Sequence, residues 1–263
     1  HADSGQRVVR MNKNKILFWL CLFLVVGGFA VGGSYLLKQK DNQDIYEKVQ
    51  EEKKELPKKE PIEEAKAVPE PVEIPVNFQE LQAMNPDIYA WIEIPGTEVN
   101  YPIVQSANDR EYYLDHTIEG AEGLPGSIYT ENLNTTTFQD KNTVVYGHNM
   151  RDKSMFGGLK YYADSAYMEE HKQIYIYTPE HIYTYEVFGA VTYDDRHLLL
   201  SYDFNNTEDY QAFLDSLSQM RNMNTYINKE RPVTTEDRIL TLSTCTGNEQ
   251  QRFLVEAVLI DEK

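Results

Sequence analysis

Cysteine is nearly absent from this 263-residue chain: there are two, Cys21 and Cys245. A disulfide-stapled scaffold is therefore excluded, and a bridge from an apolar N-terminal run to the far end of the chain is not expected. Basic charge is also scarce, with 25 Lys and Arg against 42 Asp and Glu and a formal net charge of -17. That balance argues against nucleic-acid binding, which needs a basic surface to neutralise phosphates. His116, His171, His181 and His197 show no close metal-ligand spacing, and no acidic stretch has the pattern of a calcium loop. We expect no metal and no cofactor. No internal repeat is visible. What the chain does have, 41% hydrophobic and 12% aromatic residues, is enough for a packed core.

Composition divides the chain into four stretches. Residues 1–15 read as a leader or cytoplasmic tail, in which His1 to Arg10 precede Met11. Residues 16–37, ILFWLCLFLVVGGFAVGGSYLL, carry no charge and are long enough for a transmembrane helix, which takes about 20 residues. An uncleaved anchor fits better than a signal peptide, whose apolar core is shorter. Lys13 and Lys15 before the run nearly balance Lys38 and Lys40 after it, so charge says little about orientation. A short tail ahead of a long C-terminal domain favours the N-in, C-out arrangement, with the domain outside the cell. Residues 38–76 are rich in Glu, Lys and Pro and read as a solvated spacer, with a helical stretch from Asp44 to Leu56.

Residues 77–263 read as the globular domain. Asn77–Ala90 suggests a short amphipathic helix. Strand-like segments follow at Trp91–Ile94, Tyr101–Val104, Gly126–Tyr129, Thr143–Tyr146, Gln173–Thr178, His181–Tyr193, Arg238–Thr244 and Phe253–Ile260. Helical patterns lie at Met155–Tyr162 and Glu208–Met220, the latter with Tyr210, Phe213, Leu214, Leu217 and Met220 on one face. Many strands and few helices predict a mainly β domain, a closed barrel or a sandwich.

Cys245 ends a strand-forming run, Arg238-Ile-Leu-Thr-Leu-Ser-Thr-Cys245. Strand ends are where a rigid scaffold presents a nucleophile to a cleft. A thiol attacks as the thiolate, which requires a base or positive charge nearby. His148 also stands just past a strand, in Val144-Val145-Tyr146-Gly147-His148-Asn149-Met150, where Gly147 permits a sharp turn. Arg252 opens the last strand, seven residues after the cysteine, and offers a permanently charged donor to a developing oxyanion. Taken singly, each has a plain alternative: a buried inert thiol, a structural histidine, a surface ion pair.

Together they form a pattern. Thr241-Leu-Ser-Thr-Cys245 resembles the TLxTC signature of sortases, and Arg252 stands where that family's strand arginine follows. Tyr146-Gly147-His148-Asn149-Met150, with Met155-Phe156-Gly157-Gly158-Leu159, is similar to the histidine segment of class B sortases. So are Tyr101-Pro-Ile-Val-Gln105, Asn108 and Tyr112-Tyr113-Leu114. The helix expected before the cysteine strand resembles the extra helix of that class. The resemblance spans residues 77–260 and implies a closed sortase-type β-barrel with an N-terminal helical segment, preceded in this chain by one transmembrane helix. Two positions depart from the family pattern, Thr246 and Glu256, and both bear on which motif is accepted rather than on the reaction.

The resemblance further implies a cysteine transpeptidase. Cys245 attacks the carbonyl of a threonine in a C-terminal sorting motif of an exported protein, and a thioester forms. Arg252 stabilises the oxyanion, and His148 protonates the leaving amine, then deprotonates the incoming one. The acyl group passes to a cell-wall peptidoglycan amine; the alternative acceptor is a pilin lysine. Asn108, Tyr146, Ser243 and Thr244 are expected to contact substrate, with strand packing or turn formation as their plain alternative. A hydrolytic endopeptidase and a non-catalytic surface adhesin are the competing readings.

Overall fold

The computed structural model describes residues 33–34, 36–51, 72–220 and 225–263. The chain divides into two compact units, His1–Asp41 and Asn42–Lys263. The apolar run read as a membrane span lies outside the described residues except for 33, 34, 36 and 37, which are helical. Among the described residues no helix is long and apolar enough to cross a membrane.

Residues 36–51 are helical (α1). From Asn42 on, this helix belongs to the second unit and is not the solvated spacer expected for residues 38–76. Tyr46 and Val49 are buried in the core of the unit. The Tyr46 hydroxyl bonds to the Gly126 carbonyl and lies 3.0 Å from Ser127 Oγ, and Asn42 Nδ2 donates to Leu124 O at 3.0 Å. A tyrosine with an apolar ring and a polar tip, and a buried amide beside it, thus fasten a segment rich in polar and charged residues. Of the rest of the spacer, residues 52–71 lie outside the described residues, while Val76 is buried in the core and Ile74 packs against it.

The strands are β1 (Ile88–Glu93), β2 (Asn100–Val104), β3 (Ile128–Thr130), β4 (Asn142–Tyr146), β5 (Gln173–Tyr177), β6 (Ile182–Asp194), β7 (Tyr226–Ile227), β8 (Ile239–Cys245) and β9 (Gln251–Glu262). Among the described residues they form one sheet in the order β5-β1-β2-β3-β4-β8-β9-β6-β7, and β5 also pairs with β6. Since β7 only edges β6, eight strands close into a barrel. Closure leaves no open edge in the ring. The β2–β3 and β4–β8 pairs are parallel.

The helical expectations need two corrections. The helix read over Asn77–Ala90 ends as α2 (Phe78–Met84), and β1 begins at Ile88. Asn85 precedes Pro86, which disfavours the helical region, and its backbone is extended at φ -145, ψ 113. The helix read over Met155–Tyr162 is instead a turn, with Met155 at φ 54, followed by a 3-10 helix at Leu159–Ala163. Two further short helices, α3 (Ser165–Glu170) and α4 (Leu198–Ser201), precede α5 (Thr207–Gln219). The Asn206 side chain caps α5 by accepting from Glu208 N and Asp209 N.

Alternation along three strands sorts the side chains into two cores. Leu240 and Leu242 on β8 and Phe253, Val255 and Ala257 on β9 point into the barrel. Val144, Ile239, Leu254 and Val258 point outward, where Leu198, Phe204, Tyr210, Phe213 and Leu217 from the excursion between β6 and β8 cover them. The outward face also buries a polar row. Thr241 is the cross-strand partner of Glu256 on β9 and of Val144 on β4. Thr241 Oγ1 lies 3.0 Å from Asn142 Oδ1 and 2.8 Å from Glu256 Oε2. One hydroxyl proton cannot satisfy two acceptors, and a neutral Glu256 supplies the second. Glu256 is fully buried, and that desolvation pushes its carboxyl up to about 8, opposed in part by the Thr241 bond.

This shift has a defined sign. The unfolded carboxyl titrates at about 4.3, so from there to about pH 8 the folded state alone holds the proton. The stabilising contribution is complete below the lower value and is lost as pH rises through the upper one. Urea unfolding between about pH 5 and pH 9 is therefore expected to show stability falling with pH, and Glu256→Gln to remove that component of the slope. A Gln variant with the wild-type slope contradicts a neutral Glu256.

Candidate active site

The outward face of β4, β8 and β9 continues past the buried polar row to the ends of the strands. In the parallel pair, Tyr146 is level with Ser243. Carrying that register two residues on brings His148 level with Cys245. On the other side Cys245 is the antiparallel partner of Arg252. The thiol thus ends the middle strand, with an imidazole on one flank and a guanidinium on the other. All three line one cavity of about 260 Å³.

Local chemistry fixes each of them. Gly147 N donates to Ser243 O at 3.2 Å, and Thr244 Oγ1 donates to Gly147 O at 2.7 Å, so the chain leaving β4 is tied to β8. Gly147 is required for space rather than for turning, the role expected from the sequence. A Cβ there would stand 2.5 Å from Ile128 Cδ1 and 2.7 Å from Phe156 Cδ2. Phe156 N donates to His148 O at 2.9 Å and closes the loop that follows. Gly157 in that loop has backbone atoms of Met150 and Lys153 where a Cβ would go, the nearest at 2.1 Å.

Cys245 is exposed and carries a free thiol. Arg252 is half-buried, and its Nη1 donates to Glu249 O at 3.0 Å and Gln251 O at 2.9 Å. Among the described residues no carboxylate forms an ion pair with it, so its charge stays uncommitted beside the thiol. The His148 ring is half-buried, and desolvation lowers its pKa from the ordinary histidine value, with the Asp115 charge acting in the opposite sense. Its Nδ1 is buried with no hydrogen-bond partner among the described residues. A thiol, an imidazole whose pKa is lowered by burial and a fixed cation around one cavity suit acyl transfer.

One wall of the cavity is aromatic. Tyr129 and Tyr146 stack with centroids 5.4 Å apart, and burial raises both phenols, keeping them protonated. The stretch from Asp194, the last residue of β6, to Leu198 lines the cavity as well. There His197 Nε2 lies 2.6 Å from Oε2 of the buried Glu131, joining that chain to the end of β3.

A family description, the Sortase domain, matches residues 92–260. The chain belongs to the sortase family. It is similar to sortase B of Listeria monocytogenes, 33% identical over 191 residues, covering 72% of this chain and 76% of that protein. Sortase B of Staphylococcus aureus is 30% identical over 244 residues, covering 92% of this chain and 93% of that one. Among solved structures, sortase B from B. anthracis in complex with AAEK1 superposes with a TM-score of 0.70 at 30% identity, covering 86% and 99% of the two chains. A Staphylococcus aureus sortase B–substrate complex gives 0.69, also at 30% identity and with the same coverage. This sortase is of class B, and its activity is that of a cysteine transpeptidase.

Within this sortase the residues singled out from the sequence do not all converge. Cys245, His148, Arg252, Tyr146, Ser243 and Thr244 line the cavity. Asn108 does not: it lies on an exposed bend after β2, because the chain turns into solvent beyond Val104. Ser243 and Thr244 are almost completely buried, and the Thr244 hydroxyl is engaged by Gly147. Their structural part is therefore visible, and their shared cavity wall with it. Sequence reasoning misses Tyr129, Glu131 and His197. On sequence alone His197 reads as a surface or satisfied core histidine, and no local pattern links it to Glu131, 66 residues away.

The His148 ring is expected to titrate below the ordinary histidine range when followed by NMR. Asp115→Asn is expected to lower it further, since the Asp115 charge favours the imidazolium. A rise in that variant contradicts an attractive Asp115 field at the ring.

Proposed function

We propose that this sortase cleaves a sorting motif after threonine in exported proteins and passes the acyl group to a cell-wall peptidoglycan amine. Cys245 is the nucleophile, and the acyl group rests on it as a thioester. Arg252 steadies the tetrahedral oxyanion. His148 gives a proton to the leaving amine and takes one from the acceptor. The observation that carries these roles is the side-by-side placement of His148, Cys245 and Arg252 at three adjacent strand ends. Tyr146 and Ser243 line the groove beside the scissile bond. The lowered His148 pKa supports a resting state with a neutral imidazole.

The uncharged run at residues 16–37 supports a single-pass anchor at the cell membrane, with the catalytic domain outside. Sorting-motif proteins are reached there as they emerge. A pilin lysine as acceptor is not favoured, since the Listeria and Staphylococcus relatives are both sortase B.

The test is incubation of the protein with a library of sorting-motif peptides and either a peptidoglycan-type amine or a pilin lysine peptide, with products read by mass spectrometry. Aminolysis by the wall amine is expected, and hydrolysis alone or transfer only to the pilin lysine rejects the proposal. Cys245→Ala is expected to abolish product, and His148→Ala and Arg252→Ala to lower turnover about 10²-fold or more. Near wild-type turnover in either of the latter removes that residue from the mechanism.

A further inference from the structure

The ladder between β4 and β8 should end where β4 ends, and one rung beyond that end is present nonetheless. Ser243 O faces β4 and accepts from Gly147 N. Carbonyl direction alternates along a strand, so Cys245 O faces the same side. Its backbone partner on that side would be residue 149, but the chain has already left the sheet. The rung is made by a side chain: Asn149 Nδ2 donates to Cys245 O at 2.7 Å. The two acceptors are two residues apart, as are the two donors, which is the spacing of a parallel ladder. An amide in a side chain therefore continues the sheet where the backbone stops.

His148 lies between the two rungs. On its N-terminal side Gly147 is bonded to Ser243 and Thr244; on its C-terminal side Asn149 is bonded to the nucleophile's own residue. We infer that Asn149 is a positioning residue for the transfer reaction, holding the imidazole in register with the Cys245 thiol through the Cys245 carbonyl. It need not touch substrate to act. Without its amide the loop from His148 to Phe156 is anchored to β8 only from the Gly147 side, and the ring gains freedom relative to the sulfur. Such misplacement lowers the rate of the chemical steps more than it affects binding. An aspartate at this position has nearly the same shape, but when ionised it accepts and cannot donate to a carbonyl.

The inference rests on Cys245 and His148 acting as nucleophile and proton-transfer group, and the experiment separates the two. Asn149→Ala, Asn149→Asp, Asn149→Gln and His148→Ala are compared with the wild-type chain. Turnover is measured on the best sorting-motif peptide of the library, and the rate of Cys245 alkylation by iodoacetamide is followed against pH. Asn149→Ala and Asn149→Asp are expected to lower kcat by about tenfold to a hundredfold with KM little changed. Their alkylation profiles are expected to move toward that of His148→Ala, and the thermal midpoint to stay near wild type. Asn149→Gln, which keeps an amide donor, is expected to recover much of the loss. Unchanged kcat and pH profile in the Asp variant, or a loss confined to KM, overturns the inference. Wild-type turnover in His148→Ala overturns instead the assignment on which it rests.

Discussion

The register between β4, β8 and β9 is the constraint on which the site depends. With Tyr146 level with Ser243, and Cys245 paired with Arg252, every second residue of the three strands falls on one outward face. Successive rows on that face are Asn142, Ile239 and Val258, then Val144, Thr241 and Glu256, then Tyr146, Ser243 and Leu254, and finally the row of Cys245 and Arg252. A slip of one residue in any of the strands would turn its reactive group into the barrel. The row that ends in Cys245 and Arg252 is therefore specified by the same alternation that sorts Leu240 and Leu242 inward and Ile239 outward.

The outward face needs a cover, and the excursion between β6 and β8 supplies it. Phe204, Tyr210, Phe213 and Leu217 bury the rows distant from the strand ends, while the chain from Asp194 to Leu198 stops short and leaves a groove. The same segment thus has two roles along its length, core at one end and cleft wall at the other. The His197–Glu131 contact holds that wall to β3. Beneath the cover, the Thr241–Glu256 row is fully buried, and it tolerates a carboxyl there by keeping the proton on it.

Much of the barrel is legible in the sequence because strand signals are local. The run Arg238–Thr244 and the segment His181–Tyr193 are dense in β-branched and aromatic residues, and both appear as strands, β8 and β6. Local signals fail where tertiary contacts decide. The pattern at Met155–Tyr162 suggests a helix, yet Met155 sits at φ 54, outside the helical region, and Gly157 passes within contact of the Met150 and Lys153 backbone. Composition marks Asn42–Glu51 as spacer, yet Tyr46 and Val49 are core residues. Their burial depends on surface offered by residues dozens of positions away, such as Gly126 and Ser127.

By itself the sequence determined most of the barrel strands, the outward helix α5 and the grouping of Cys245, His148 and Arg252, because each is written in a short run of residue types with a period or a motif. It did not determine which further residues share the cleft. Asn108 is expected there and lies in solvent; Tyr129, Glu131 and His197 are not expected and line it. Proximity across a closed barrel comes from strand order and register, and neither is encoded within the reach of a local pattern.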